Sequence, residues 1–183
     1  GDVAAILNRI LEGEDLTPFS NSEVKAFMGN GIRATIEKAL TSRGCDAQAD
    51  KVNILCGLFM NLYVANPVVT TKPYPHAAVL LAWLASRGVV IGVCTNKSEE
   101  PARLVLERTG LQRHVSVLVG SDSGFGQKPE AGPLRACAHK LGVPLPQVIY
   151  VGDHAVDVAT ARAAGVSVII ARYGYGVAVG ELP

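Results

Sequence analysis

The spacing of apolar positions changes once along the chain. Over residues 2–66 they recur at three and four, as in Val3, Ile6, Leu7, Ile10 and Leu11, the period of helices that each bury one face. Ser20-Asn21-Ser22-Glu23 has the form of a capping box, with the Ser20 hydroxyl serving the free N–H groups of a helix start while Glu23 reaches back. Gly29-Asn30-Gly31 breaks that helix, and the same period resumes over Ile32–Leu40 and Val52–Tyr63 on either side of a polar connection. A small helical bundle is expected. Asn66-Pro67 and Lys72-Pro73-Tyr74-Pro75 end it, because proline lacks an N–H and restricts the residue before it. The boundary between a helical domain, residues 1–70, and a second domain, residues 71–183, is placed there.

Beyond residue 75 helices alternate with short runs rich in β-branched residues. Helices are predicted over Ala77–Ser86, Pro101–Thr109, Leu134–Leu141 and Val156–Ala164, and strands over Val89–Cys94, Val115–Gly120, Val148–Gly152 and Val166–Ala171. Strands that are nearly continuous apolar runs, with helices between them, predict an α/β domain of the Rossmann-like type: a parallel sheet covered by helices on both faces. In such sheets ligands bind beyond the carboxyl ends of the strands. Within the predicted helix stripes Trp83 reads as core, and Cys94 reads as a small buried hydrophobe.

Charge and composition narrow the function classes. Lys plus Arg number 17 and Asp plus Glu 16, a formal net charge of +1, so the basic surplus that tracks nucleic-acid phosphates is missing and no nucleic-acid partner is expected. Hydrophobic residues make up 49% and mean hydropathy is +0.27. The longest apolar run, Ala77–Ala85, is still only about half of a membrane-spanning helix, so no membrane partner is expected. Cys45, Cys56, Cys94 and Cys137 show no C-x-x-C spacing, which argues for a reducing, cytoplasmic setting rather than a disulfide framework or a zinc site. No secretory leader is read at Gly1-Asp2.

Chemistry is expected at three strand ends. The first carries Thr95-Asn96-Lys97, where a hydroxyl, an amide and backbone N–H groups suit an anion, although a turn or helix cap uses the same residues. The second candidate is Lys128-Pro129, where proline restrains the chain beside a lysine that would otherwise read as a surface charge. The third is Gly152-Asp153-His154-Ala155-Val156-Asp157, two carboxylates four residues apart that suit a hard cation such as Mg²⁺. The bland reading of that pair is capping of the helix that follows. His154 beside Asp153 is kept as a residue that could contact substrate, whereas His76, His114 and His139 share no ligand spacing.

Taken in this order, the three segments resemble the haloacid dehalogenase superfamily of phosphohydrolases. Gly29-Asn30-Gly31, Tyr74-Pro75, Thr95-Asn96-Lys97, Lys128-Pro129, Gly152-Asp153 and Tyr173-Gly174-Tyr175 are similar to the wording of its phosphoglycolate phosphatase group. The resemblance implies a haloacid dehalogenase-like core with a small α-helical cap, and a Mg²⁺-dependent phosphatase acting on a small phosphorylated metabolite such as 2-phosphoglycolate. It implies that Thr95, Asn96 and Lys128 bind the phosphoryl group, with Thr95 and Lys128 catalytic. Gly31 would meet the substrate from the cap, Asp153 would bind Mg²⁺ directly, and Asp157 would act on the metal through water or by orienting Asp153.

One segment that the resemblance calls for is missing. No D-x-D-x-T run, the source of an attacking aspartate on a central strand, is present in the 183 residues. Asp2, Asp15 and Asp122 do not substitute for it, because none follows a β-run in the right place. The expectation is therefore a nucleophile outside the printed chain, a shortened relative without turnover that serves as a phosphometabolite-binding or interaction module, or a homodimer in which another copy supplies the strand. Removing a central strand should also leave a hole between Val89–Cys94 and Val148–Gly152 too costly to persist.

Overall fold

The computed structural model describes residues 1–65 and 69–174 and divides the chain into two compact units, Gly1–Lys72 and Pro73–Pro183. The first unit is all helical, with α1 over Asp2–Gly13, α2 over Asn21–Phe27, α3 over Gly31–Ser42 and α4 over Ala49–Ala65. Their apolar stripes converge on Leu7, Leu11, Val24, Ile36, Leu40, Val52 and Phe59, all buried, with α1 and α3 packed on α4 and α2 packed on α3. The capping box at α2 forms as its sequence requires: the Glu23 N–H donates to Ser20 Oγ at 3.3 Å and the Ser20 N–H donates to the Glu23 carboxylate at 2.7 Å. The turn into α3 takes positive φ at Gly29 (119°) and Gly31 (84°), which residues with a Cβ rarely adopt.

Asp2 does more than open a helix. Its carboxylate is buried and accepts five bonds, from the N–H groups of Val69, Thr70 and Thr71 and from the hydroxyls of Thr70 and Thr71, at 2.6–3.2 Å. It therefore ties the first turn of the unit to its last residues.

The second unit alternates helix and strand: α5 Ala77–Ser86, β1 Gly92–Cys94, α6 Glu99–Arg108, β2 Val117–Val119, α7 Gly132–Leu141, β3 Ile149–Gly152, α8 Ala155–Ala164 and β4 Ser167–Ile170. All the pairing is parallel, with Gly92 opposite Val117 in one pair and Ile149 opposite Ser167 in the other. Helix α7 covers β1 and β2, α8 covers β3 and β4, and the two helices pack on each other. Leu134, Tyr150, Ala161, Ala164 and Val166 form the core between helices and strands.

Several expectations need correction here. The strand predicted over Val89–Cys94 shrinks to Gly92–Cys94, and Val89 and Val90 are about half exposed. Among the described residues β1 and β3 do not pair, and the strands form two separate ribbons. The bonds from Ser116 N–H to the Ile91 carbonyl and from Thr95 N–H to the Val119 carbonyl turn one edge of β1 to β2. By alternation Gly92 and Cys94 face the opposite edge. The outer face of β3 and β4 stays open, with Ile149, Val151 and Ile169 more than half exposed. Trp83 is 51% exposed rather than core, because α5 is apolar all round and packs mainly on the short turn at Gln112–His114; the Arg87 guanidinium lies 5.3 Å from its ring centre. Cys94 is only half-buried.

The proposed break at Asn66-Pro67, and Tyr175, lie outside the described residues. Among the described residues no helix is long and apolar enough to cross a membrane.

Burial alone would raise the Asp2 carboxyl, but the hydroxyls and N–H groups of Thr71 and Thr70 bring it far below the ordinary carboxylate range. A depressed folded value means that the stabilisation is complete above the unfolded value of 3.8 and is lost as pH falls below it. Asp2→Ala should therefore cost about 2–4 kcal/mol in urea unfolding near pH 7. The difference from wild type should narrow on acidification, and hydrogen exchange at Thr70 and Thr71 should show the amides released.

Candidate active site

The site forms where the chain leaves β1 and β3, and its hub is a carboxylate. Asp157 stands in the first turn of α8, only 3% exposed, and accepts at both oxygens. Oδ2 takes the N–H groups of Asp153 and His154, each at 3.0 Å. Oδ1 takes the Lys128 ammonium at 2.7 Å and lies 3.0 Å from the Tyr150 hydroxyl. The strand end must pass very close for this to happen, and Gly152 allows it: a Cβ there would overlap the Asp157 carboxyl group. Glycine before the aspartate is thus needed for space.

The helix cap is a different residue from the one expected. His154, not Asp153, caps α8, with Nδ1 accepting from the Val156 N–H at 3.2 Å while Asp157 completes the box. His154 is thereby explained as a cap, and the Asp153 side chain is not spent on capping.

Lys128 is held at both ends. Its N–H donates to Asn96 Oδ1 at 2.8 Å and its carbonyl accepts from Asn96 Nδ2 at 3.0 Å. Asn96 is itself buried, so its amide group acts as a clamp on the backbone before Pro129. Thr95 Oγ1 accepts the Lys97 N–H at 3.1 Å, the turn geometry that its sequence also allowed, and keeps its hydroxyl proton for donation. Burial pushes the Lys97 amine down to about 8. Asp122, rejected above as a nucleophile, accepts from the Glu99 N–H at 2.8 Å at the start of α6.

Beside Asp153 a cleft of about 250 Å³ is lined by Tyr74, Val151, Gly152, Asp153, Ala171, Tyr173 and Gly174. The rings of Tyr74 and Tyr173 meet edge to face, 4.9 Å between centres, and Gly174 passes so close that a Cβ would overlap the Asp153 side chain. Among the described residues no group of three or more His, Cys, Asp or Glu side chains is arranged around a metal position.

The structure therefore brings together Thr95, Asn96, Lys128, Asp153 and Asp157 in the second unit. Gly31 belongs to the first, as the opening residue of α3. The profile of the haloacid dehalogenase-like hydrolases matches residues 2–171. The chain belongs to that family.

Within this hydrolase family the chain is 40% identical over 173 residues to the phosphoglycolate phosphatase of Rhodospirillum rubrum, covering 92% of this chain and 72% of the relative. It is 39% identical over 183 residues to the phosphoglycolate phosphatase of Cereibacter sphaeroides strain ATCC 17029, covering 100% and 83%. Among solved structures, a "predicted phosphoglycolate phosphatase" from Haemophilus somnus 129PT superimposes with a TM-score of 0.86 at 26% identity, over 96% of this chain and 80% of the other. The α/β core read from the strand and helix alternation is the haloacid dehalogenase-like fold.

The buried charges explain the electrostatics of the site. Burial would raise the Asp157 carboxyl, but the Lys128 charge, its hydrogen bond and the N–H groups of Asp153 and His154 hold it below the ordinary range. Burial raises the thiols of Cys94 and Cys137, the latter to about 11, so neither is an activated nucleophile. One site residue was missed by sequence reasoning. Tyr150 looked like one more apolar strand position, and only its neighbours in space show otherwise.

Asp157→Asn leaves the Lys128 ammonium buried without a counter-charge and should cost about 3–5 kcal/mol in denaturant unfolding at pH 7. Because the Asp157 value is depressed, its contribution is complete above the unfolded 3.8 and declines as pH falls below it. The variant's stability should accordingly be flatter than that of the wild type on the acid side.

Proposed function

We propose that this hydrolase is a cytoplasmic, Mg²⁺-dependent phosphatase of small phosphate monoesters, 2-phosphoglycolate first among them. The observation that carries the reading is the Lys128 ammonium. It is fixed at 2.7 Å from Asp157 with its side chain only 11% exposed, and a cation held largely out of water acts strongly on a phosphoryl group because water screens it little. The names of the relatives at 40% and 39% identity support the substrate.

In this reading Thr95 donates its hydroxyl to a phosphoryl oxygen, and Asn96 acts through Lys128, whose backbone it grips. Lys128 neutralises charge on the phosphoryl group and on the attacking carboxylate. The 183 residues hold no D-x-D-x-T segment, so the attacking carboxylate comes from outside them. The first unit, which carries Gly31, takes the part of the family's helical cap.

The donor chemistry fits Mg²⁺ with one direct ligand from the described residues. The cation is bound through one or two carboxylates, substrate oxygens and water. Asp153 would supply a carboxylate from the strand tip, and both Asp157 oxygens accept from groups of the protein itself. Asp157 therefore belongs to the support of Asp153, whose backbone it holds. The metal, when bound, offsets negative charge on the phosphoryl oxygens.

Steady-state turnover of 2-phosphoglycolate by the longest native form tests the proposal. Activity is expected with Mg²⁺, lost on chelation and abolished by Asp153→Asn, and Lys128→Ala is expected to lower kcat/KM by at least about 10²–10³-fold. A native form that binds phosphate but turns over no monoester defeats the enzyme reading in favour of a phosphometabolite-binding module.

A further inference from the structure

Tyr150 is the one buried residue of β3. Its ring packs among Leu134, Ala161, Ala164 and Val166, a place that phenylalanine would fill equally well by shape. The hydroxyl is the feature in need of explanation, since a buried polar atom must find partners to offset its lost hydration. It has three. The Lys128 ammonium donates to it at 3.2 Å, and it faces two acceptors, the Cys94 carbonyl at 3.2 Å and Asp157 Oδ1 at 3.0 Å.

This oxygen links a residue of β3 to the end of β1. Cys94 ends β1, Tyr150 sits within β3, and Lys128 arrives on the loop after β2. Burial, reinforced by the Asp157 charge, pushes the phenol far above its ordinary range, so it stays protonated and keeps one hydrogen to give. An ammonium has three hydrogens. Asp157 takes one and Tyr150 a second, and these are the only side-chain partners of Lys128 among the described residues.

We propose that Tyr150 is a positioning residue: its hydroxyl, carried on the core-packed ring with its one hydrogen shared between Asp157 and the Cys94 carbonyl, orients the Lys128 ammonium so that its third hydrogen is kept for an incoming phosphate oxygen. The proposal rests on the reading of Lys128 as the anion-binding cation. It adds that the lysine's aim, and not only its charge, is set by β3. Without the phenol the ammonium would still pair with Asp157 but would rotate about that single contact.

The test uses the full chain with Mg²⁺ and inorganic phosphate as the probe, with lysine side chains labelled with ¹⁵N. The Lys128 ammonium signal is assigned by its loss in Lys128→Ala, and folding of each variant is checked by circular dichroism. Tyr150→Phe is expected to keep the fold, to speed solvent exchange of that signal by about tenfold, and to weaken phosphate binding by about three- to tenfold. In a Lys128→Ala background the same change is expected to have no further effect on binding, because the phenol acts through the lysine.

Every other result overturns either the anion-site reading or the positioning role. If Lys128→Ala leaves phosphate binding unchanged, the anion-site reading falls and the proposal with it. If Lys128→Ala weakens binding while Tyr150→Phe changes neither the exchange nor the affinity, the positioning role alone is overturned. If Tyr150→Phe weakens binding equally with and without Lys128, the hydroxyl acts independently of the lysine, and the positioning role is again overturned. Should Tyr150→Phe fail to fold, Tyr150→3-fluorotyrosine, which keeps ring and hydroxyl but makes the oxygen a poorer acceptor, is expected to speed the exchange in the same direction, and no change would defeat the proposal.

Discussion

Two opposite charges held out of water at 2.7 Å are costly to assemble, because each gives up its hydration, and their attraction repays that cost only when the remaining valences are filled. Around Asp157 and Lys128 they are filled. The carboxylate takes four donors, two from the backbone of the strand-end loop, and the ammonium has a carboxylate and a phenol. Loosening any one member exposes the others to an unsatisfied charge, so the start of α8, the tip of β3 and the loop carrying Lys128 are held in one arrangement.

The close approaches follow from that arrangement. Gly152 has no Cβ because Asp157 occupies the space where one would stand, and Gly174 passes Asp153 under the same constraint. The Asn96 amide reaches from the end of β1 to both backbone groups of Lys128. Three strand ends are thereby joined through side chains and loops although β1 and β3 do not pair. The carboxyl ends of parallel strands, where such folds place their ligands, carry here a threonine after β1 and an aspartate after β3, with Lys128 on the loop after β2.

Legibility in the sequence differed by element. Helices with a clear stripe, such as α1, or a capping box, such as α2, were readable because period and cap chemistry are local. So was the order of strands and helices in the second unit. The burial of α5 and of the residues before β1 was not readable, since an apolar run says what a segment can tolerate and not what lies against it: Trp83 and Val90 are half exposed. Among the site residues, Thr95, Lys128, Asp153 and Asp157 announced themselves by chemical type at strand ends. The role of Asn96 as a clamp, the cap at His154 and the whole contribution of Tyr150 depended on partners 32, 2 and 22 residues away, respectively.

What the sequence determined by itself was the set of periods, caps and turn glycines that make one helical unit and one α/β unit, together with the chemical groups at the strand ends. Those are local properties, set by backbone preference and neighbouring side chains. Tertiary structure decided that the Asp157 carboxylate is saturated by donors from the strand-end loop, the Lys128 loop and β3, and it set a strand tyrosine beside the lysine. Such choices depend on distances across the fold and on which charges share a buried volume, and no spacing along a chain records either.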